Sequence, residues 1–113
     1  MGQRRLNGEL LNACYGGNLD LVKYLLTSPD LKEHADIHAK NSESFINAIS
    51  NGHVEIIEYL IWDYKIEKTE HVEQYLVEKE MKDILNTFEK RDLEKELQKD
   101  LNHNMIKDIK ITL

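Results

Sequence analysis

The sequence predicts an all-α fold, a short helical solenoid of two 35-residue helix–turn–helix repeats closed by C-terminal capping helices. Three observations predict it. The chain repeats itself without a gap: Leu11–Leu26 lies above Ile46–Ile61 at an offset of 35, with Asn12/Asn47, Ala13/Ala48, Gly17/Gly52, Tyr24/Tyr59 and Leu25/Leu60 identical. Within each copy the apolar residues recur at helical spacing. The composition, 113 residues with 41% hydrophobic and 32% charged, suits one small soluble core.

Each element follows from its residues. The first helix spans about Gly8 to Tyr15 and the second about Leu19 to Leu26, with Gly16-Gly17-Asn18 as the turn. Gly17 and Gly52 supply the positive φ of a tight helix-to-helix turn. Asn18 is placed to cap the second helix, and Asp20 and Glu55 sit where its dipole favours a carboxylate. Leu19, Val22, Leu25 and Leu26 form one stripe, which Val54, Ile57, Leu60 and Ile61 reproduce. Helices this short do not persist alone in water, so each copy must cover the apolar side of the other.

Beyond Ile61 the pattern changes. Trp62–Ile66 reads as an extended connector whose aromatics pack over the second copy. Thr69 and Glu70 open a helix carrying Val72, Tyr75 and Leu76, and a second helix carries Met81, Ile84, Leu85 and Phe88. Residues 69–90 are thus capping helices or a degenerate third repeat, since a bare stack end exposes apolar surface. Leu93, Leu97 and Leu101 then form a row roughly 170° from the Met81–Phe88 stripe at 100° per residue. Either the chain breaks near Lys90–Asp92, or the row meets something else, a homodimer seam being the natural form. The tail, with Ile109, Ile111 and Leu113 alternating, reads as a frayed terminus, with a docked strand as the alternative. The whole is one domain, 1–113, divided as 6–34, 35–66, 69–90 and a charged helical tail 91–113.

The second helices, Gly17–Leu26 and Gly52–Ile61, resemble those of the ankyrin repeat family. His53 stands at the family's usual position after glycine, and Ala35–Lys40 resembles the stretch leading into its β-hairpin. The Thr-Pro start is absent from both copies, at Gly8-Glu9-Leu10-Leu11 and Glu43-Ser44-Phe45-Ile46. The segment Thr27–His34 is longer than the family norm and the tip near Asn41-Ser42 shorter. The resemblance covers roughly residues 6–66 and carries architecture rather than chemistry. It implies a non-enzymatic protein-binding module presenting a concave surface to a protein partner. By alignment that surface is Asn12, Tyr15 and Gly16, then Asn47, Ser50 and Asn51, with Asn41, Ser42 and Glu43 as the intervening tip. Tyr15 is the strongest single anchor, offering large contact area at low entropy cost. The alternative is a homodimeric scaffold associating through Leu93, Leu97 and Leu101. The resemblance extends to short ankyrin proteins of bacteria and large DNA viruses, which implies a cytoplasmic setting, or the host cytosol for an effector.

Other function classes find little support. A formal charge of −6 argues against nucleic-acid binding through a general basic field. No apolar run reaches the roughly 18 residues of a membrane span, and the first residues lack a secretory or myristoylation signal. The one cysteine, Cys14, aligns with Ile49 and reads as an inert core residue in a reducing compartment. The histidines at 34, 38, 53, 71 and 103 form no zinc spacing, so no metal or cofactor is expected. His34 and His38 read as exposed loop residues. No glycine-rich phosphate loop or catalytic constellation is evident.

Overall fold

Three turns of one design join the helices in pairs. In each, a residue just past the first helix takes positive φ: Gly17 at 81°, Gly52 at 69° and Glu80 at 55°. The next amide then donates five residues back, Asn18 to the Ala13 carbonyl (2.9 Å), His53 to Ala48 (3.0 Å) and Met81 to Leu76 (2.9 Å). This satisfies a carbonyl that the helix end leaves free. Residues 2–112 are described by the computed structural model for the backbone, and residues 2–98 for side chains.

The helices are α1 (Gly2–Gly16), α2 (Leu19–Thr27), α3 (Ala39–Ser50), α4 (Val54–Glu58), α5 (Glu70–Glu78) and α6 (Lys82–Thr112), and α4 continues as a π-helical turn over Tyr59–Asp63. The chain is all-α, with no strand among the described residues. α1 packs on both α2 and α3, α3 on α5, and α5 on α6, so the first helix of each pair forms an inner row. One continuous core runs through the stack, from Leu10, Cys14, Val22 and Leu25 through Phe45, Ile49, Ile56, Leu60 and Ile61 to Val72, Leu76 and Phe88. Phe45 and Phe88 meet edge to face at 6.0 Å and 87°, joining α3 to α6. Burying a ring of that size contributes about 1.5–3 kcal/mol by area alone.

The local signals act as the residues predict. The Asn18 side chain accepts from the Leu21 amide at 3.1 Å, and the Thr69 hydroxyl accepts from Val72 at 3.3 Å. Two connections differ from the sequence reading. Tyr59–Asp63 is a π-helix, so Trp62 and Asp63 continue the helix instead of opening an extended connector, and the Tyr64 amide donates to Tyr59 at 2.9 Å. The wider turn brings Trp62 and Tyr64 against the core while Leu60, Ile61 and Ile66 remain buried. Backbone carbonyls in and just beyond this turn are met from α6: the Arg91 guanidinium donates to Ile61 (3.4 Å) and to Ile66, and lies 5.0 Å over the Phe88 ring. The family's hairpin stretch is replaced by a left-handed turn at Lys40, Asn41 and Ser42, with φ of 52°, 57° and 62°.

α6 shows no break at Lys90–Asp92 and extends to Thr112, so Ile109 and Ile111 belong to a helix and not a strand. Arg91, on the inner side, is what holds this part of the helix to the stack. The side chain of Leu101 and all of Leu113 lie outside the described residues.

Glu80 stands where the other turns have glycine, and a non-glycine residue there costs roughly 1–2 kcal/mol of backbone strain. Glu80→Gly is expected to stabilise the fold by about 1 kcal/mol, read as a higher urea midpoint with an unchanged slope. Gly17→Ala should act oppositely and cost more than about 1 kcal/mol. The added Cβ would meet the His53 ring at 2.8 Å as well as the positive φ.

Candidate functional site

The inner row of helices brings the alignment-derived residues together. Asn12, Tyr15 and Gly16 lie exposed at the C-terminal end of α1. Ser50 and Asn51 lie exposed at the matching end of α3, with Asn47 half-buried beside them. Tyr15 is the most open aromatic among the described residues, 64% exposed. Its backbone is nevertheless fixed, because the His53 ring nitrogen Nε2 bonds its carbonyl at 2.7 Å across the repeat junction. On α3 the Asn51 amide (2.8 Å) and the Ser50 hydroxyl (3.3 Å) both donate to the Asn47 carbonyl and cap the helix end. The surface therefore consists of carboxamides, a phenol and small residues on a braced backbone, with no fixed charge among the six.

The tip residues are placed differently. Asn41 is exposed and Glu43 half-buried, but Ser42 is only 1% exposed and its side chain is not offered to a partner. The left-handed turn causes this by rotating Ser42 inward, where its hydroxyl lies 3.3 Å from Nδ1 of His38. His38, Asn41 and Ser42 line an open polar cleft with Thr69, Glu70, His71 and Gln74 at the start of α5. It lies at the opposite end of α3 from Asn47, Ser50 and Asn51. His34 and His38 are half-buried rather than exposed, and His34 Nε2 bonds the Ser28 carbonyl at 2.7 Å.

Sequence reasoning missed the continuation of this surface onto α5. The shared turn hydrogen bond sets Leu76 in register with Ala48, an offset of 28 rather than 35. Tyr75 then corresponds to Asn47, Glu78 to Ser50 and Lys79 to Asn51, with the Lys79 ammonium 6.0 Å from the Tyr75 ring centroid. Only a second search at a shorter period could have found them, and it would have met the Gly-to-Glu80 exchange. Leu93 and Leu97 stand on the outer side of α6, 56% and 49% exposed.

The chemistry available is that of contact. A serine beside a histidine becomes a nucleophile only when the base is exposed to substrate and oriented by a third group. Ser42 is buried, and among the described residues no carboxylate bonds the His38 or His71 ring. Among the described residues no group of three or more histidines, cysteines or carboxylates could hold a metal. No described helix is long and apolar enough to cross a membrane.

Paired antiparallel helices, repeated and stacked through one turn geometry, define a helical repeat protein. Residues 10–61, a little under half of the chain, match the sequence model of ankyrin repeats (many copies), which supports the ankyrin resemblance of this segment. No curated protein and no solved structure matches the chain. Proteins of this family are generally protein–protein interaction modules and typically not enzymes.

Cys14 is fully buried, and that burial pushes its thiol from 9.0 up to about 12. In the native protein it should resist alkylation at pH 8 and react only on unfolding, as read by mass spectrometry in rising urea. Its native form keeps a proton that the unfolded chain loses above pH 9.0. Its contribution to stability is therefore complete below that value and declines as pH rises towards 12.

Proposed function

We propose that this chain is a non-enzymatic protein-binding module, engaging a protein partner through the exposed face of its inner helices. One observation carries the reading. Tyr15 projects into solvent from a backbone that His53 holds across the repeat junction. An aromatic anchor on a fixed backbone loses little freedom on binding, which is what distinguishes a binding surface from an ordinary exposed residue. Asn12, Asn47, Ser50, Asn51 and Gly16 supply adaptable hydrogen bonding around it, and Tyr75 and Glu78 extend the face. Asn41 and Glu43, at the other end of α3, take part only if the partner reaches that far.

The part of the surface on α1 and α3 selects by shape and hydrogen bonding rather than by charge. The single cysteine, with no partner for a disulfide, favours a reducing cytosolic setting.

The test is capture of a partner from the native cell by the full chain and by a Tyr15→Ala/Asn47→Ala double variant. Loss of an aromatic anchor at an interface centre costs about 2 kcal/mol or more, so capture should fall by more than tenfold. Unchanged capture by a variant with unaltered melting would reject the inner face as the binding surface.

A further inference from the structure

We propose that Asn51-Gly52 is a site of spontaneous covalent modification, at which the chain converts a carboxamide of its inner face into a carboxylate. Two asparagines precede glycine in this sequence, Asn7 and Asn51. Glycine has no side chain to hinder its own amide nitrogen, so asparagine–glycine pairs are where that nitrogen most readily attacks the carboxamide carbon. In the first step the Gly52 nitrogen bonds to Cγ of Asn51 and the Cγ–Nδ2 bond breaks. The amide proton leaves with the departing nitrogen as ammonia, and a cyclic imide remains. Water then opens the imide at either carbonyl. Opening at Cγ gives aspartate, and opening at the backbone carbonyl gives isoaspartate, with the main chain rerouted through Cβ. Water is the only co-reactant.

Space does not separate the two pairs, since an added Cβ at Gly8 or at Gly52 would meet nothing within 4 Å. The backbone does. Ring closure needs the peptide plane after the asparagine to turn until the glycine nitrogen faces Cγ. Asn7 lies inside α1, where helix geometry ties both the amide and the carbonyl of that plane into the hydrogen-bond ladder. Its Oδ1 also accepts the Asp36 amide at 2.7 Å. Asn51 stands just past α3 with φ −97° and ψ 2°, and Gly52 follows at φ 69°. A peptide plane turns by opposite changes in the ψ before it and the φ after it, and glycine accepts either sign of φ. The Asn51-Gly52 plane can therefore turn while the helices on both sides stay packed. The bond from the His53 amide to Ala48, which sets the turn, belongs to the next plane. Two bonds resist, from the Gly52 amide to Ile49 (3.1 Å) and from Asn51 Nδ2 to Asn47 (2.8 Å), both at an exposed helix end. Such ends open at far lower cost than helix interiors. Conversion removes the Nδ2 donor to Asn47 and places a carboxylate where the α3 dipole disfavours one. It also sets a charge beside Ser50 on a part of the inner face that has none, a consequence for binding that rests on the reading above.

The test follows both asparagines in the full chain held at neutral pH, by peptide mapping with fragmentation mass spectrometry that separates aspartate from isoaspartate. In concentrated guanidinium chloride, where no structure distinguishes them, Asn7 and Asn51 should convert at rates within about threefold of each other. In the native chain Asn51 should convert roughly tenfold or more faster than Asn7. Asn51→Gln should abolish the change at this position and leave the rate at Asn7 as it was. Asn51→Asp, which carries the direct product, should lower the urea midpoint with an unchanged slope. Native rates that are equal at the two asparagines would overturn the inference, as would conversion of Asn51 only after unfolding. An Asn51→Asp midpoint equal to that of the unmodified chain would overturn the effect on α3. None of these readouts needs a binding partner, so a failure of the inner-face reading leaves them unmoved.

Discussion

Coverage of one repeat's apolar side by the next is the constraint on which the rest of the structure depends. α2 has nine residues and α4 five, lengths at which an isolated helix is unstable in water. Their persistence comes from what lies against them. The turns decide which side is presented for covering, because a positive φ followed by the five-residue-back hydrogen bond fixes the rotation of the second helix against the first. Small residues decide how near the neighbour comes. Ala13 and Ala48 let α1 and α3 approach, and Gly17 leaves room for the His53 ring to reach the Tyr15 carbonyl. The exposed anchor at Tyr15 and the buried thiol at Cys14 are consequences of that same junction, about 100° apart around one helix.

What the sequence made legible is what repeats. The pairing of Cys14 with Ile49 marked a buried slot, and both residues are buried. The stripe through Val22, Leu25 and Leu26 is buried too, and Asn18 caps its helix. The third turn escaped notice because its period falls from 35 to 28 and its positive-φ residue is Glu80 instead of glycine. The left-handed turn at Lys40–Ser42 escaped for a related reason: no glycine marks it. Instead it rests on distant groups, since the Asp36 amide before it donates to Asn7 Oδ1 of α1 at 2.7 Å. The π-helix at Tyr59–Asp63 has no local signature, because a 3.6-residue periodicity cannot anticipate a turn braced at carbonyls in and just beyond it by Arg91, 25 to 30 residues away.

The same distinction separates the candidate site residues. The inner face was readable because Asn12/Asn47 and the residues near them occupy equivalent positions in two copies, and equivalence in a stack implies adjacency. Ser42 was misjudged because its exposure depends on the non-repeating turn. Tyr75 and Glu78 belong to a pair whose relation to the first two is carried by backbone geometry and not by residue identity. Side-chain chemistry drifts quickly at positions that only face solvent. The turn geometry is what the three pairs share, and every helix after a turn depends on the direction it sets.

The continuity of α6 shows how those directions propagate. Phe88 is anchored against Phe45, and one turn later Arg91 holds the end of the π-helix while its guanidinium lies over the Phe88 ring. These two contacts, on one side of the helix, orient whatever the helix carries afterwards. With that side facing the stack, helical geometry leaves Leu93 and Leu97 turned outward, so their exposure follows from Phe88 and Arg91 rather than from loose packing. A helix fixed in this way cannot rotate its leucines inward without breaking the guanidinium–carbonyl contacts that close the second repeat. The apolar row is consequently a permanent feature of the folded surface, and its carboxylate neighbours Glu89 and Glu96 are as much a product of the core as the residues buried within it.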